Sequence, residues 1–134
     1  LDVGWSGPIV SRPPRPAADP CRILTVSSFA AHKQIDHQLA ALARLRGQGM
    51  AARLSVVGSS REPAVFDALI RQARRLGLDG SVAWYPDCAD THLAALHADA
   101  DLFLFTSRSE SFGLAVLDAI GYGVTPVVYP HPVY

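Results

Sequence analysis

The sequence predicts an α/β fold built on a doubly wound parallel sheet of about five strands. Short runs rich in β-branched and aromatic residues alternate along the chain with longer segments whose apolar residues recur at helical spacing. This alternation requires parallel strands joined by right-handed crossovers, which place helices on both faces of the sheet. The loops after the carboxyl ends of the strands then form the ligand-binding edge, and the predicted architecture is Rossmann-like.

Turn and cap residues set the boundaries of the predicted elements. Gly47 ends the first helix, and Gly77 is the predicted C-cap of the second. Ser59 and Glu62 form a capping-box pattern before the second helix, and Asp90 is the predicted cap of the third. The predicted elements, in order, are strand 23–26, helix 33–46, strand 53–57, a helix through 66–76, strand 81–84, helix 91–98, strand 101–106, helix 113–122 and strand 125–129.

The chain divides into a proline-rich lead-in, residues 1–21, and one folded unit, residues 22–134. Five prolines among the first 20 residues disfavour helix and favour an extended segment. The whole chain has 134 residues, of which 49% are hydrophobic, and this composition is typical of a compact domain with its own core.

Composition and missing motifs exclude several classes of function. Twelve basic residues balance twelve acidic ones, so we expect no nucleic-acid partner. Cys21 and Cys88 form no C-x-x-C pair and are predicted to be free thiols in a reducing, cytoplasmic compartment. The five histidines have no H-E-x-x-H grouping, so no metal site is expected. The sequence also lacks G-x-G-x-x-G, Walker and G-x-S-x-G motifs, which argues against dehydrogenases, P-loop proteins and α/β-hydrolases.

The strongest functional pattern follows the predicted strand 101–106. A polar turn leads into a helix whose first amides, at 112–114, point toward an anion and add to the helix dipole. Glu110 and Asp118 are eight helical steps apart, about 12 Å, and carboxylates are good acceptors for sugar hydroxyls. The alternative is an acid that only complements the helix dipole, followed by a solvated aspartate.

Three further positions near strand ends are candidates for ligand contact. Lys33 lies close to the start of the first helix, where its ammonium would reach a phosphate, although a solvated lysine is the common alternative. Gly58 follows the second strand and permits close backbone approach, or it is a plain turn glycine. The segment 85–87 is positioned to line a base pocket, or contributes only rim aromatics.

Residues 107–119, S-R-S-E-S-F-G-L-A-V-L-D-A, are similar to the S-x-x-E-G-F-G-L-x-x-L-E-A signature of family 4 retaining glycosyltransferases, which have the GT-B fold. Residues 93–101 resemble the L-x-x-L-Y-x-x-A-D run of that family, and residues 54–58 match its strand ending in V-G. The resemblance covers roughly residues 22–130 in the right order.

The resemblance implies the C-terminal, nucleotide-sugar donor domain of a two-domain enzyme that transfers a hexose. It implies that Glu110 contacts the donor-sugar hydroxyls, Asp118 the ribose hydroxyls and Lys33 the leaving diphosphate. The implied substrate is the nucleoside diphosphate sugar, with no cofactor or metal. Lys33 and Glu110 are the implied catalytic residues. The implied donor-binding residues are Lys33, Gly58, Glu110, Ser111, Phe112, Gly113, Leu114 and Asp118.

Several departures from the family pattern bear on this expectation. Ser28 stands where the family has an arginine, Asp118 where it has glutamate, and Ser111 where it has glycine. We expect the acceptor-binding N-terminal domain to be missing from this chain, and the donor domain itself to be incomplete at its carboxyl end. We therefore expect this chain alone to be inactive and to self-associate through apolar surface, with any membrane contact made through the missing domain. The alternatives are a non-catalytic interaction module and an epimerase-like or phosphorylase-like GT-B enzyme.

Overall fold

A computed structural model describes residues 11–130 and contains a five-stranded, fully parallel sheet of order β3-β2-β1-β4-β5. The predicted α/β, Rossmann-like fold is confirmed. None of the helices within the described residues is long and apolar enough to cross a membrane. The elements are β1 (Cys21–Val26), a 3₁₀ turn (Ala31–Lys33), α1 (Ile35–Gly47), β2 (Ala52–Gly58), α2 (Pro63–Arg75), β3 (Val82–Pro86), α3 (Asp90–Asp99), β4 (Leu102–Phe105), α4 (Leu114–Gly121) and β5 (Thr125–Val128).

Two hydrophobic clusters cover the two faces of the sheet. Neighbouring residues of a strand point to opposite faces, and Ile23 and Leu24 of β1 accordingly belong to different clusters. Ile23 packs in the cluster that contains Leu39 of α1 and Leu69 of α2. Leu24 packs in the cluster that contains Val116 of α4. The sheet is therefore doubly wound, as its sequence pattern predicts.

The strand order creates a topological switch point between β1 and β4. From β1 the chain winds outward through β2 to β3, then crosses back to β4 on the other side of β1. The loops after β1 and β4 leave the sheet on opposite faces and open a crevice between them, which is where α/β proteins of this kind bind ligands. Residues predicted to act together lie in these two loops.

Several predicted helix starts are wrong. The predicted helix 33–46 is divided, because Gln34 has a left-handed backbone (φ 53°) between the 3₁₀ turn and α1. The capping box is absent: Glu62 is itself the N-cap of α2, makes no side-chain cap bond, and is followed by Pro63. Ala89 rather than Asp90 is the N-cap of α3. Proline is favoured at the first helical position because it has no amide proton that needs an acceptor there, and α2 begins at Pro63 without a side-chain cap.

The other boundaries differ from prediction by one or two residues. The structure begins β1 at Cys21, includes Gly58 in β2 and moves β3 to Val82–Pro86. The α2 C-cap is Leu76, and Gly77 follows it with φ 67°. These shifts leave every strand and helix in its predicted place.

Two arginines of the lead-in contact the end of α3. Arg12 donates hydrogen bonds to the backbone carbonyls of His97, Ala98 and Ala100. Arg15 donates to the Asp99 carbonyl and, through Nε, to Asp101 Oδ1 at 2.6 Å. The last carbonyls of a helix have no intrahelical partner, so these cations satisfy them and complement the helix dipole. Residues 1–10 of the predicted lead-in and residues 131–134 of the predicted domain lie outside the described residues.

His97 is a buried histidine held between two aromatic rings. Its ring stacks on Tyr122 at a centroid distance of 4.8 Å and on Phe103 at 6.0 Å, and only 3% of the residue is exposed. Burial lowers the pKa of His97 because it penalises the imidazolium, while the charge of Asp118 opposes that shift and the charge of Arg12 adds to it. The folded protein therefore holds His97 neutral at a pH where the unfolded chain protonates it.

This shift predicts a pH-dependent stability. As pH falls through about 6.5, the ordinary histidine pKa, the unfolded chain takes up a proton that folded His97 resists, so the free energy of unfolding decreases. We expect a lower urea midpoint at pH 5.5 than at pH 7.5, and a smaller difference in His97→Tyr, which keeps an aromatic ring. Equal differences in the two proteins would contradict the assignment.

An apolar groove lies beside α1 on the sheet face formed by β4 and β5. Its volume is about 310 Å³, and Val127 is 47% exposed within it. Self-association through such a surface stays a prediction, which sedimentation of the chain would test. The apolar lining residues are Ile23, Ala41, Leu45, Leu102, Leu104 and Val127.

Candidate functional site

Lys33 and Glu110 form an ion pair at the switch point. Lys33 ends the 3₁₀ turn that follows β1, and Glu110 lies in the loop between β4 and α4. Lys33 Nζ donates to Glu110 Oε1, and each side chain is only 15% exposed. Nζ also lies 5.8 Å from the ring centroid of Phe105, at cation–π distance. The structure thus brings together the two predicted catalytic residues, which are 77 positions apart in sequence.

The two loops that carry this pair are bonded to each other. The Arg108 amide donates to the His32 carbonyl at 2.9 Å, and the Lys33 amide donates to the Ala30 carbonyl at 3.0 Å. Lys33 is the only lysine in the chain. The β1 and β4 loops therefore form one connected surface, with a single ammonium facing a single carboxylate.

The amino end of α4 opens beside Glu110. Gly113 is the N-cap and has φ 64°, a left-handed conformation that glycine adopts without steric cost. The first amides of a helix have no intrahelical acceptor. Among hydrogen bonds of the described residues, the first amides of α4 to donate backward are those of Val116 and Leu117, both to the Gly113 carbonyl. Phe112 and Leu114 are 59% and 58% exposed, so this helix end is open to solvent.

Asp118 is not part of the Lys33–Glu110 ion pair. It is an exposed residue on the body of α4. It makes no ion pair within residues 11–130, and its charge acts on His97 of α3. The predicted contact of Asp118 with ribose hydroxyls therefore stays a prediction.

Gly58 is required by the close approach of two backbone segments. A Cβ on Gly58 would lie 1.8 Å from the carbonyl oxygen of Ser27, which follows β1. The neighbouring bonds run from the Ser27 amide to the Val57 carbonyl, 2.9 Å, and from the Asp87 amide to the Gly58 carbonyl, 2.8 Å. Gly58 is thus the last residue of β2, packed against the β1 loop. Its predicted contact with the donor stays a prediction.

The loop after β3 is tied to the loop after β2. Ser60 Oγ donates to Asp87 Oδ2 at 2.7 Å, and Asp87 has a left-handed backbone with φ 51°. Tyr85 contacts the His92 ring edge-on at a centroid distance of 4.9 Å. These contacts place Asp87 at the carboxyl edge of the sheet, on the side where the base pocket was predicted.

Two buried polar residues beside Lys33 are not among the predicted site residues. Gln38 is 1% exposed, Thr106 is 5% exposed, and Gln38 Nε2 donates to Thr106 Oγ1 at 2.9 Å. The available signal was the position of Gln38 on the apolar stripe of α1, next to Leu39 and one turn before Leu42. Within the described part of the chain, no group of three or more His, Cys, Asp or Glu residues is placed to hold a metal ion.

Residues 10–134 match the sequence model of the family described as Glycosyl transferases group 1. D-inositol 3-phosphate glycosyltransferase of Rhodococcus erythropolis is 40% identical over 85 residues, which is 62% of this chain and 19% of that protein. GDP-mannose:cellobiosyl-diphosphopolyprenol alpha-mannosyltransferase of Komagataeibacter xylinus is 30% identical over 106 residues, which is 79% of this chain and 27% of that protein.

Solved structures show the same fold. The structure of Anabaena HepE in complex with UDP-glucose matches with a TM-score of 0.73 and 26% sequence identity, covering 84% of this chain and 30% of that one. The predicted resemblance to GT-B glycosyltransferases is confirmed. The chain spans less than a third of the length of these three proteins.

Proposed function

The chain belongs to the glycosyl transferases group 1 family, and we propose that its role is to bind the nucleoside diphosphate sugar donor of a hexosyltransferase. The observation that carries the proposal is the Lys33–Glu110 pair at the switch point, beside the open amino end of α4. GDP-mannose in the name of one relative and UDP-glucose in a structural neighbour support a donor of this class.

The two members of the pair match the two halves of such a donor. The Lys33 ammonium is a compact cation suited to a phosphate oxygen, and the amides and dipole of α4 add to the same attraction. Glu110 is a carboxylate suited to accept hydrogen bonds from sugar hydroxyls. In the free protein each group satisfies the other, so a bound donor replaces the ion pair with one contact for each member.

The chemistry proposed is transfer of the hexose from the diphosphate to an acceptor hydroxyl. The bond between the anomeric carbon and the diphosphate oxygen breaks, and the acceptor oxygen bonds to that carbon. Lys33 and the α4 amides stabilise the charge that develops on the leaving diphosphate. Retention of the anomeric configuration is proposed from the family resemblance. The acceptor hydroxyl loses its proton to the leaving diphosphate oxygen or to solvent.

A non-catalytic interaction module is the second candidate. The observation that favours it is Ser28, which stands in the β1 loop where the family resemblance expects an arginine. One of two expected phosphate cations is therefore absent, which weakens donor binding. The two candidates differ in whether a nucleoside diphosphate binds at all.

Titration calorimetry of the native chain with UDP, GDP, ADP and their glucose adducts tests the proposal. We expect binding of at least one pair, with the sugar adduct bound more tightly. Glu110→Gln should lower the affinity for the sugar adduct, relative to the affinity for the bare diphosphate, by about tenfold, because a charged hydrogen-bond acceptor is lost. The same variant should bind the bare diphosphate at least as tightly as the native chain, since Lys33 is released from its partner.

Asp79→Asn is the matched control, since it removes an exposed carboxylate from the loop between α2 and β3. It should leave the ratio unchanged. Absence of heat with every ligand would contradict donor binding and favour the interaction module. An unchanged ratio in Glu110→Gln would contradict only the role of Glu110.

A further inference from the structure

The turn that carries Lys33 rests on three buried polar side chains, which we call the polar clamp: Thr25, Gln38 and Thr106. Thr25 lies near the end of β1, Gln38 on α1 and Thr106 directly after β4. Their exposed fractions are 0%, 1% and 5%. Buried hydroxyl and amide groups are costly unless they are hydrogen-bonded, so the bonds that they make indicate what the clamp holds.

Counting protons favours one order of donors in the clamp, in which Gln38 Oε1 is buried without a hydrogen-bond partner among the described residues. Gln38 Nε2 donates to Thr25 Oγ1 at 3.2 Å and to Thr106 Oγ1 at 2.9 Å. Thr106 Oγ1 also lies 2.9 Å from the Lys33 carbonyl and 3.0 Å from the Gln34 carbonyl. The Thr106 hydroxyl has one proton. Because the Gln38 amide donates to the hydroxyl oxygen, that proton is shared between the two carbonyls. If the Gln38 amide were reversed, its oxygen would face the Thr106 hydroxyl. The single Thr106 proton would then have three acceptors, namely that oxygen and the Lys33 and Gln34 carbonyls.

The clamp holds a turn that its own residues do not favour. Gln34 has φ 53° and ψ 42°, a left-handed conformation that is unfavourable for a residue with a side chain. The Thr106 hydroxyl bonds the Lys33 and Gln34 carbonyls, which flank the Gln34 α-carbon, and so fixes the direction in which the chain leaves Lys33. Its bond to Gln38 orients the hydroxyl. The side chain of Lys33 starts from a backbone position that this contact determines.

We propose that Thr106, oriented by Gln38, is a positioning residue that sets the Lys33 ammonium toward the diphosphate of the donor. What Lys33 binds rests on the proposed function, whereas the positioning itself is a property of the chain without ligand. Thr106 contacts no donor atom in this proposal and acts only through Lys33.

A double-mutant cycle tests whether the effect passes through Lys33. Thr106→Val keeps the shape and removes the hydroxyl, and Thr106→Ser keeps the hydroxyl. In the native background we expect Thr106→Val to weaken binding of the preferred nucleoside diphosphate (UDP, GDP or ADP) by about tenfold, the loss typical of one hydrogen bond, and Thr106→Ser to bind as the native chain does. In a Lys33→Met background Thr106→Val should cause no further loss. An equal loss in both backgrounds would show a merely structural role and overturn the proposal.

Acylation of Lys33 gives a readout that needs no donor. Because Lys33 is the only lysine, a succinimidyl acetate reagent followed by peptide mass spectrometry reports its amine, apart from the chain terminus. We expect Thr106→Val to raise the rate of Lys33 acylation several-fold and Thr106→Ser to leave it unchanged, with circular dichroism confirming that both variants are folded. An unchanged rate in Thr106→Val would overturn the positioning claim. A native chain that binds no nucleoside diphosphate would instead refute the proposed function, and the acylation rates would still decide on positioning.

Discussion

Replacement of Lys33 by methionine should lower the affinity for the preferred nucleoside diphosphate by about 100-fold, since a charge-assisted hydrogen bond contributes about 1.5–3 kcal/mol. Two effects act in the same direction. The variant loses the only lysine of the chain, and it leaves the Glu110 carboxylate, 15% exposed, without its partner and facing an anionic ligand. Isothermal titration measures the change directly.

Two variants separate these effects. Lys33→Met combined with Glu110→Gln should regain part of the lost affinity, because the unpaired carboxylate is gone. Arg71→Met removes an exposed cation from α2 and should leave the affinity unchanged, as expected for a charge remote from the ligand and screened by solvent. A Lys33→Met chain that binds within twofold of the native one would show that the ammonium does not contact the diphosphate.

Gly58→Ala should destabilise the fold by about 3 kcal/mol or more, near the upper end of the usual cost of overpacking. The added Cβ would meet the Ser27 carbonyl oxygen at 1.8 Å and its carbonyl carbon at 2.9 Å. Both are backbone atoms, so the clash is relieved only by moving the ends of β1 and β2 apart. Urea unfolding at neutral pH gives the difference in the free energy of unfolding.

Gly47→Ala is the control for this substitution. A Cβ there meets no atom within 4 Å, and Gly47 is the last residue of α1. Alanine in a helix is favoured over glycine by about 0.5–1 kcal/mol, so Gly47→Ala should leave stability unchanged or raise it slightly. Equal destabilisation by the two substitutions would show that the tight approach at Gly58 is not what makes glycine necessary.

Local sequence signals were sufficient for the elements and their order. Apolar residues at helical spacing and short β-branched runs are patterns contained within one helix or strand. Each predicted strand and helix is present. Helix starts were predicted less well. The start of α2 is marked by Pro63 rather than by a side-chain cap. The left-handed backbone at Gln34 has no residue signal, because glycine is the residue expected there.

The sequence by itself determined the α/β class, the strand-turn-helix segment around Glu110, and the family to which the chain belongs. Only the tertiary structure decided that Lys33 faces Glu110, that Gln38 and Thr106 support the turn that carries Lys33, and that the charge of Asp118 acts on His97. The physical reason is that these contacts join segments as many as 77 residues apart. They depend on β4 pairing with β1 rather than with β3, and that choice results from many weak packing interactions spread over the whole sheet, which no local motif encodes.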